Sequence, residues 1–133
     1  MVELGLTKGA ARQRLNLALG SVVGDGKAAH HIVPLDAITN ARTSSIVEAA
    51  ARGGFSMNGA NNGVLLSQLF HRGGHDKTIE RMLRKIEKLK GSDKHIAGRL
   101  QTIVDAERTF LSQIETTRLA ATQAGLRGRI HMK

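Results

Sequence analysis

The sequence predicts an α+β domain in which two short strands are set into a mostly helical chain. Apolar residues recur at helical spacing along most of the 133 residues. Strand-like runs occur at 28–33 and 64–66, and each borders a segment rich in turn-forming residues. A chain of this length is expected to form a single domain, 1–133, with a buried core.

The N-terminal extension, residues 1–26, predicts one amphipathic helix followed by a turn. Apolar and basic residues are mixed over 3–19, and Gly20 is a natural helix end. The Gly-Asp-Gly sequence at 24–26 is a turn signal. The polar side of this helix is basic and carries Lys8, Arg12 and Arg14.

The next segments predict strand, helix, loop and strand in that order. We expect the first strand to end at Pro34, because proline has no N–H for a sheet ladder. A helix is expected over 37–52, closed by two glycines. Residues 56–63 hold three asparagines and predict a loop, which leads into the strand at 64–66.

Two helices are expected in the second half of the chain. Apolar residues at 79, 82, 86 and 89 fall on one stripe, and Gly91 is a natural C-terminal cap. A long helix then spans 91–124, before a frayed basic tail at 125–133. The opposite face of the shorter helix carries Lys77, Arg81, Arg84 and Lys88, and a solvated surface is its default interpretation.

Composition limits the classes of function. The formal net charge is +9, which favours a polyanionic partner such as nucleic acid, although a generically basic protein would have the same charge. Aromatic content is only 2%, so contact with the backbone fits better than stacking on bases. The absence of cysteine excludes disulfides and thiolate zinc sites. No stretch is apolar enough to predict a membrane span.

Four histidines form two local groups, an adjacent pair at His30-His31 and a helical pair at His71 and His75. Residues four apart on a helix have Cβ atoms about 5 to 6 Å apart, close enough to share a metal ion. Adjacent residues of a regular strand face opposite sides, so one of the first pair would need a different role or a distorted strand end. Exposed or internally bonded histidines are the alternative.

Three segments together resemble the AHH family of predicted toxin nucleases, part of the HNH/endonuclease VII superfamily. They are Ala29-His30-His31-Ile32-Val33, then Ala60-Asn61-Asn62-Gly63-Val64-Leu65, then His71-x-x-x-His75. The resemblance covers about residues 27–90. It implies a ββα-metal (HNH-like) finger, in which two strands and a helix hold one divalent ion against the scissile phosphate.

The resemblance also implies a role for each motif residue. His31 looks like the general base that deprotonates the attacking water, and Asn62 looks like the residue that holds the loop bearing the histidine pair. The metal ligands would be His30, His71 and His75, with Mg²⁺, Mn²⁺ or Zn²⁺ as the ion. Arg72 and Lys77 lie beside these residues and are candidates for contacting flanking phosphates. His95 and His131 lie outside the motif and are expected to have no catalytic role.

The function implied is that of an HNH-type endonuclease hydrolysing phosphodiester bonds, of DNA rather than RNA and without sequence specificity. Toxin nucleases of this kind are usually the C-terminal domain of a larger secreted effector that acts in the cytoplasm of a target cell. An acidic immunity protein is then the expected partner, since complementary charge speeds capture. A nuclease of the same fold with a housekeeping or mobile-element role is one alternative.

A different class of function is a non-catalytic basic nucleic-acid-binding protein whose histidines hold a structural zinc. A structural zinc is closed by four protein ligands, whereas a catalytic one keeps an open position. Three ligand-like histidines and one base-like histidine favour the open, catalytic site.

Overall fold

The computed structural model describes residues 5–20, 27–67 and 75–131. These residues form a mostly helical chain with a two-stranded antiparallel sheet, which confirms the predicted α+β class. The elements in chain order are α1 (Lys8–Ala18), β1 (Lys27–His31), α2 (Asp36–Thr39), α3 (Ser44–Arg52), a 3-10 turn (Ala60–Asn62), β2 (Gly63–Ser67), α4 (His75–Glu87) and α5 (Asp93–His131).

Helix α1 begins later than the predicted start at residue 3. Thr7 caps it, because its hydroxyl oxygen accepts a hydrogen bond from the Ala10 N–H at 3.2 Å. A threonine in this position satisfies an otherwise unpaired N–H of the first turn and fixes where the helix starts. Ala11 and Leu15 form the buried side of the helix.

The two strands pair antiparallel, with His30 opposite Val64 and His31 opposite Gly63. The prediction that β1 continues to Val33 is wrong, since the strand ends at His31. The Val33 N–H donates instead to the side-chain oxygen of Asn62, at 2.7 Å. This side-chain bond, rather than the proline that follows, ends the pairing of the strands.

The predicted helix over 37–52 is divided into α2 and α3. The break lies at Asn40, whose backbone is extended and whose side-chain oxygen accepts a hydrogen bond from the Arg42 N–H at 2.9 Å. Asparagine offers the backbone this local alternative to a helical hydrogen bond. Thr43 holds the turn from inside, because its buried hydroxyl donates to the Ala37 carbonyl at 2.8 Å.

The core lies between the sheet, α3, α4 and α5. Met82 and Ile86 of the predicted apolar stripe are fully buried, and Ile79 and Leu89 pack at its edge. The close approach of α3 to α5 needs Gly53, since a Cβ there would overlap the Asp93 carbonyl. The other large buried side chains include Ile32, Val33, Val47, Met57, Leu66, Leu100 and Val104.

The prediction that the last helix ends at residue 124 is wrong, because α5 continues to His131. The glycines at 125 and 128 each disfavour a helix by about 1 kcal/mol. Extension of an existing helix nevertheless avoids the cost of starting a new one, so two isolated glycines need not stop it. Within the described ranges, no helix combines the length and the apolar character needed to cross a bilayer.

Candidate functional site

The adjacent histidines lie at the end of β1 and border the same cleft. His30 is 8% exposed and His31 is 7% exposed. The cleft has a volume of about 100 Å³. The strand ends at His31, and both residues border the cleft despite their adjacent positions. Its other lining residues are Lys8, Arg12, Ala29, Pro34, Leu35, Asp36 and Ile79.

His31 is oriented by Asn58, whose side-chain oxygen lies 2.8 Å from His31 Nε2. An amide oxygen only accepts hydrogen bonds, so Nε2 carries the hydrogen in the neutral ring. Nδ1 is then the basic nitrogen. Asn58 is buried and lies in the segment predicted as a loop. Nothing in the sequence distinguishes Asn58 from the other asparagines of this segment, because only the tertiary contact does so.

Asn62 joins the segment after the histidine pair to the segment before β2. Its side chain is fully buried, and its Oδ1 accepts from the Val33 N–H at 2.7 Å. Its Nδ2 donates to the carbonyls of Met57 at 2.9 Å and Val33 at 3.2 Å. Its own carbonyl accepts from the Ile32 N–H at 2.8 Å. The side chain therefore supports the bend just beyond His31.

Helix α5 holds the outer side of the same turn. Arg108 donates to the carbonyls of Gly63, Ala60 and Asn61, and Gln101 donates to the Asn61 carbonyl at 3.0 Å. Asp105 accepts hydrogen bonds from Gln101 and Arg108, and these hold the pKa of its carboxyl below the usual range. The turn that carries Asn62 is thus fixed from the core side and from the surface.

Of the other predicted site residues, only Lys77 has a described side chain. His71 and Arg72 lie outside the described residues, and His75 begins α4 but its side chain is not described. Lys77 is exposed and lines a separate groove along α4 rather than the histidine cleft. The structure therefore brings His30 and His31 together and places Asn62 behind the bend that follows them.

The donors described at the cleft are chemically suited to a divalent ion. An imidazole at His30 and a carboxylate at Asp36 border the same space, and both groups bind such ions. Among the residues whose placement is described, no three His, Asp or Glu side chains lie close enough to form a complete metal site. A full ligand set would have to include residues beyond them, such as the predicted His71 and His75.

The basic residues of α4 are largely engaged within the protein. Glu107 of α5 is 3% exposed and forms ion pairs with Arg81 and Lys85. Arg81 also stacks over Phe110, with its guanidinium carbon 5.0 Å from the ring centroid. Arg84 pairs with Glu80 at 3.1 Å. This face is held by internal ion pairs.

A family model matches the chain over residues 13–116, and its description is a nuclease family of the HNH/ENDO VII superfamily with conserved AHH. The Ala-His-His sequence stands here at Ala29-His30-His31, next to the cleft. No curated protein and no solved structure matches the chain. The family match covers most of the sequence and includes both histidine groups and Asn62, which confirms the resemblance found from the motifs. The chain belongs to the AHH family and is an HNH-type endonuclease.

Proposed function

We propose that this nuclease hydrolyses DNA phosphodiester bonds without sequence specificity, in a metal-dependent reaction with His31 as general base. The substrate of a nuclease is nucleic acid, and nucleases of this superfamily generally depend on a metal. The observation that carries the proposal is the buried contact of His31 Nε2 with Asn58, because it orients a histidine that lines the same cleft as His30.

The Asn58 contact supports the role of His31. With Nε2 donating to Asn58, Nδ1 carries the lone pair that takes a proton from the attacking water. Imidazole performs this step at neutral pH because it is present in its unprotonated form there. Asn58 is a positioning residue in this scheme, since it sets the tautomer and the orientation of the ring.

His30, His71 and His75 are proposed to hold the divalent ion, Mg²⁺, Mn²⁺ or Zn²⁺. Its chemistry, when bound, is to neutralise the charge that develops on the phosphate and to stabilise the leaving oxygen. Asn62 acts at a distance by keeping the bend after His31 in place. Arg72 and Lys77 are proposed to contact phosphates on either side of the scissile one.

The composition supports contact with the DNA backbone rather than stacking on bases. Aromatic residues make up only 2% of the sequence, and the net charge is +9. Contacts to phosphates bring affinity without reading bases, whereas base readout needs side chains in the grooves. A protein of this composition is therefore expected to bind and cleave along the backbone.

We further propose that the nuclease is a toxin domain of a larger secreted effector and acts in the cytoplasm of a target cell. The resemblance to toxin nucleases supports this role. A producing cell then needs a cognate immunity protein, and the +9 charge favours an acidic one. Co-expression with an acidic protein encoded beside this nuclease should restore growth of a host that the nuclease kills.

The primary test is conversion of supercoiled plasmid to nicked and linear forms, with EDTA or with each of the three metals. His31→Ala should lower the cleavage rate by roughly 10²- to 10⁴-fold, the usual contribution of a general base. His31→Gln is the second variant, because its amide is able to donate to Asn58 but does not take up a proton. His95→Ala, at an exposed position on α5, is the matched control and should cleave like the wild type.

Two results would contradict the proposal. If His31→Gln folds and cleaves at the wild-type rate, His31 is not the base. A folded wild-type protein that binds DNA and one equivalent of zinc but cleaves neither plasmid nor total RNA would instead support the non-catalytic, structural-zinc function.

A further inference from the structure

We infer that α1 supplies a cationic wall, formed by Lys8 and Arg12, that binds the phosphodiester backbone beside the histidine pair. This inference rests on the proposed nuclease function and assigns substrate contacts to two residues outside the histidine motifs. Both residues line the cleft that His30 and His31 border.

The spacing of α1 directs both cations to the cleft. Lys8 and Arg12 are one turn apart, and Ala11 and Leu15 continue the same stripe into the core. The two basic side chains therefore flank the buried face of the helix. Arg14 is also exposed on α1 but is not among the residues that line the cleft.

The position of α1 relative to the histidines is fixed by packing. Leu15 is fully buried, and its Cδ1 lies 2.6 Å from where a Cβ on Gly63 would stand. Gly63 pairs directly with His31 across the sheet. The absence of a side chain at Gly63 lets the helix dock at the end of the strands, where the histidines lie. The wall and the proposed base therefore belong to one packed unit.

The charges of the wall are available to an anion. Lys8 Nζ lies 3.5 Å from Asp36 Oδ1, and the two side chains are 70% and 48% exposed. An exposed pair of this kind contributes little to stability, so a phosphate is able to displace the carboxylate. Arg12 is exposed as well, and its planar guanidinium is suited to bidentate contact with phosphate oxygens.

Lys8 and Arg12 also lie before the region that the family model matches, which begins at residue 13. The histidine motifs belong to that region. From the sequence, these cations are recognisable only as part of the polar side of a helix. Nothing in their spacing indicated that the helix packs beside the histidines, which lie about twenty positions later.

The test is binding of a fluorescein-labelled 16-base-pair DNA duplex, followed by anisotropy in EDTA over a range of salt concentrations. The double variant Lys8→Ala/Arg12→Ala should raise Kd on the order of 10- to 100-fold at 0.1 M salt. The slope of log K against log salt should become shallower by about 1.8, because each lost phosphate contact accounts for about 0.9. Arg14→Ala removes one charge from the same helix and should change Kd by no more than about 2-fold.

In steady-state cleavage the double variant should raise KM and leave kcat near the wild-type value, since backbone contacts away from the reacting phosphate bind substrate and transition state alike. An unchanged salt slope overturns the inference, and so does an equal loss of affinity in Arg14→Ala. A wild-type protein that cleaves no nucleic acid contradicts the proposed function. A cleaving wild type whose double variant keeps its affinity contradicts the wall alone.

Discussion

The histidine site and the face between α4 and α5 are both rich in polar side chains, yet different interactions hold them together. At the site, the buried amides of Asn58 and Asn62 form neutral hydrogen bonds to an imidazole and to backbone groups. On the α4–α5 face, the buried carboxylate of Glu107 is paired with the cations of Arg81 and Lys85.

This contrast bears on which cations remain available to the substrate. Neutral amides are buried at little cost once each polar atom is bonded, and their directional contacts fix a geometry. A buried carboxylate instead requires cations, so Glu107 engages two of the basic residues of α4. The basic residues of α1 are not engaged in this way by a buried acid, and they lie beside the histidines.

The largest effect on stability is expected for Asn62→Ala. The substitution removes three side-chain hydrogen bonds and leaves the Val33 N–H and the Met57 carbonyl without this partner in the interior. We expect the free energy of unfolding to fall by about 2 to 5 kcal/mol. Urea denaturation measures the loss. Asn61→Ala is the matched control, because its part-buried side chain contacts Gln101 and should cost about 1 kcal/mol. Equal losses in the two variants would show that the buried amide has no special role.

Glu107→Gln should have an intermediate effect. The carboxylate is buried, but Arg81 and Lys85 are 39% and 45% exposed, so solvent weakens both ion pairs. We expect a loss of about 1 to 2 kcal/mol, less than for a fully buried pair. In 1 M NaCl the difference in the free energy of unfolding between Glu107→Gln and the wild type should become smaller, whereas the loss in Asn62→Ala should not change. Glu48→Gln, at an exposed position on α3, is the control and should be near neutral. A Glu107→Gln variant as stable as the wild type would contradict this account of the face.

The smallest effect on stability is expected for Arg42, in the turn after α2. Its Nη1 lies 3.2 Å from Glu80 Oε1 and its Nε lies 2.9 Å from Glu87 Oε2, and both glutamates are on α4. Its hydrogen bonds hold the pKa of each carboxylate below the ordinary glutamate range. A lowered pKa in the folded state means that the stabilisation is present above pH 4.5 and is lost as the pH falls through the lower folded value.

Arg42→Ala should therefore lower Tm at pH 7, and its Tm should approach that of the wild type as the pH falls through the lowered pKa of the two carboxylates. Thermal melts at several pH values measure this convergence, and Arg99→Ala on the exposed side of α5 is the control. A difference in Tm that stays constant down to pH 3 would mean that Arg42 acts through packing rather than through its two carboxylates.

The order of residues alone predicted the α+β class, the approximate positions of two short strands and the motifs of the family. These features depend on local periodicity, turn chemistry and residue spacing, all of which are present in the printed order of residues. Local chemistry also accounts for two boundaries that the sequence analysis misplaced. The Thr7 cap and the Asn40 turn involve residues two or three positions apart, and periodicity alone did not reveal them.

Which side chains meet at the site depends on tertiary packing and was not predictable from the sequence. Asn58 contacts His31 across 27 positions, and Arg108 holds the carbonyl of Gly63 across 45. The same docking brings α1 beside the histidines. Contacts over such separations depend on how helices and strands pack. Asparagines or basic residues that look alike in the sequence acquire different roles only through their burial and their contacts in the folded protein.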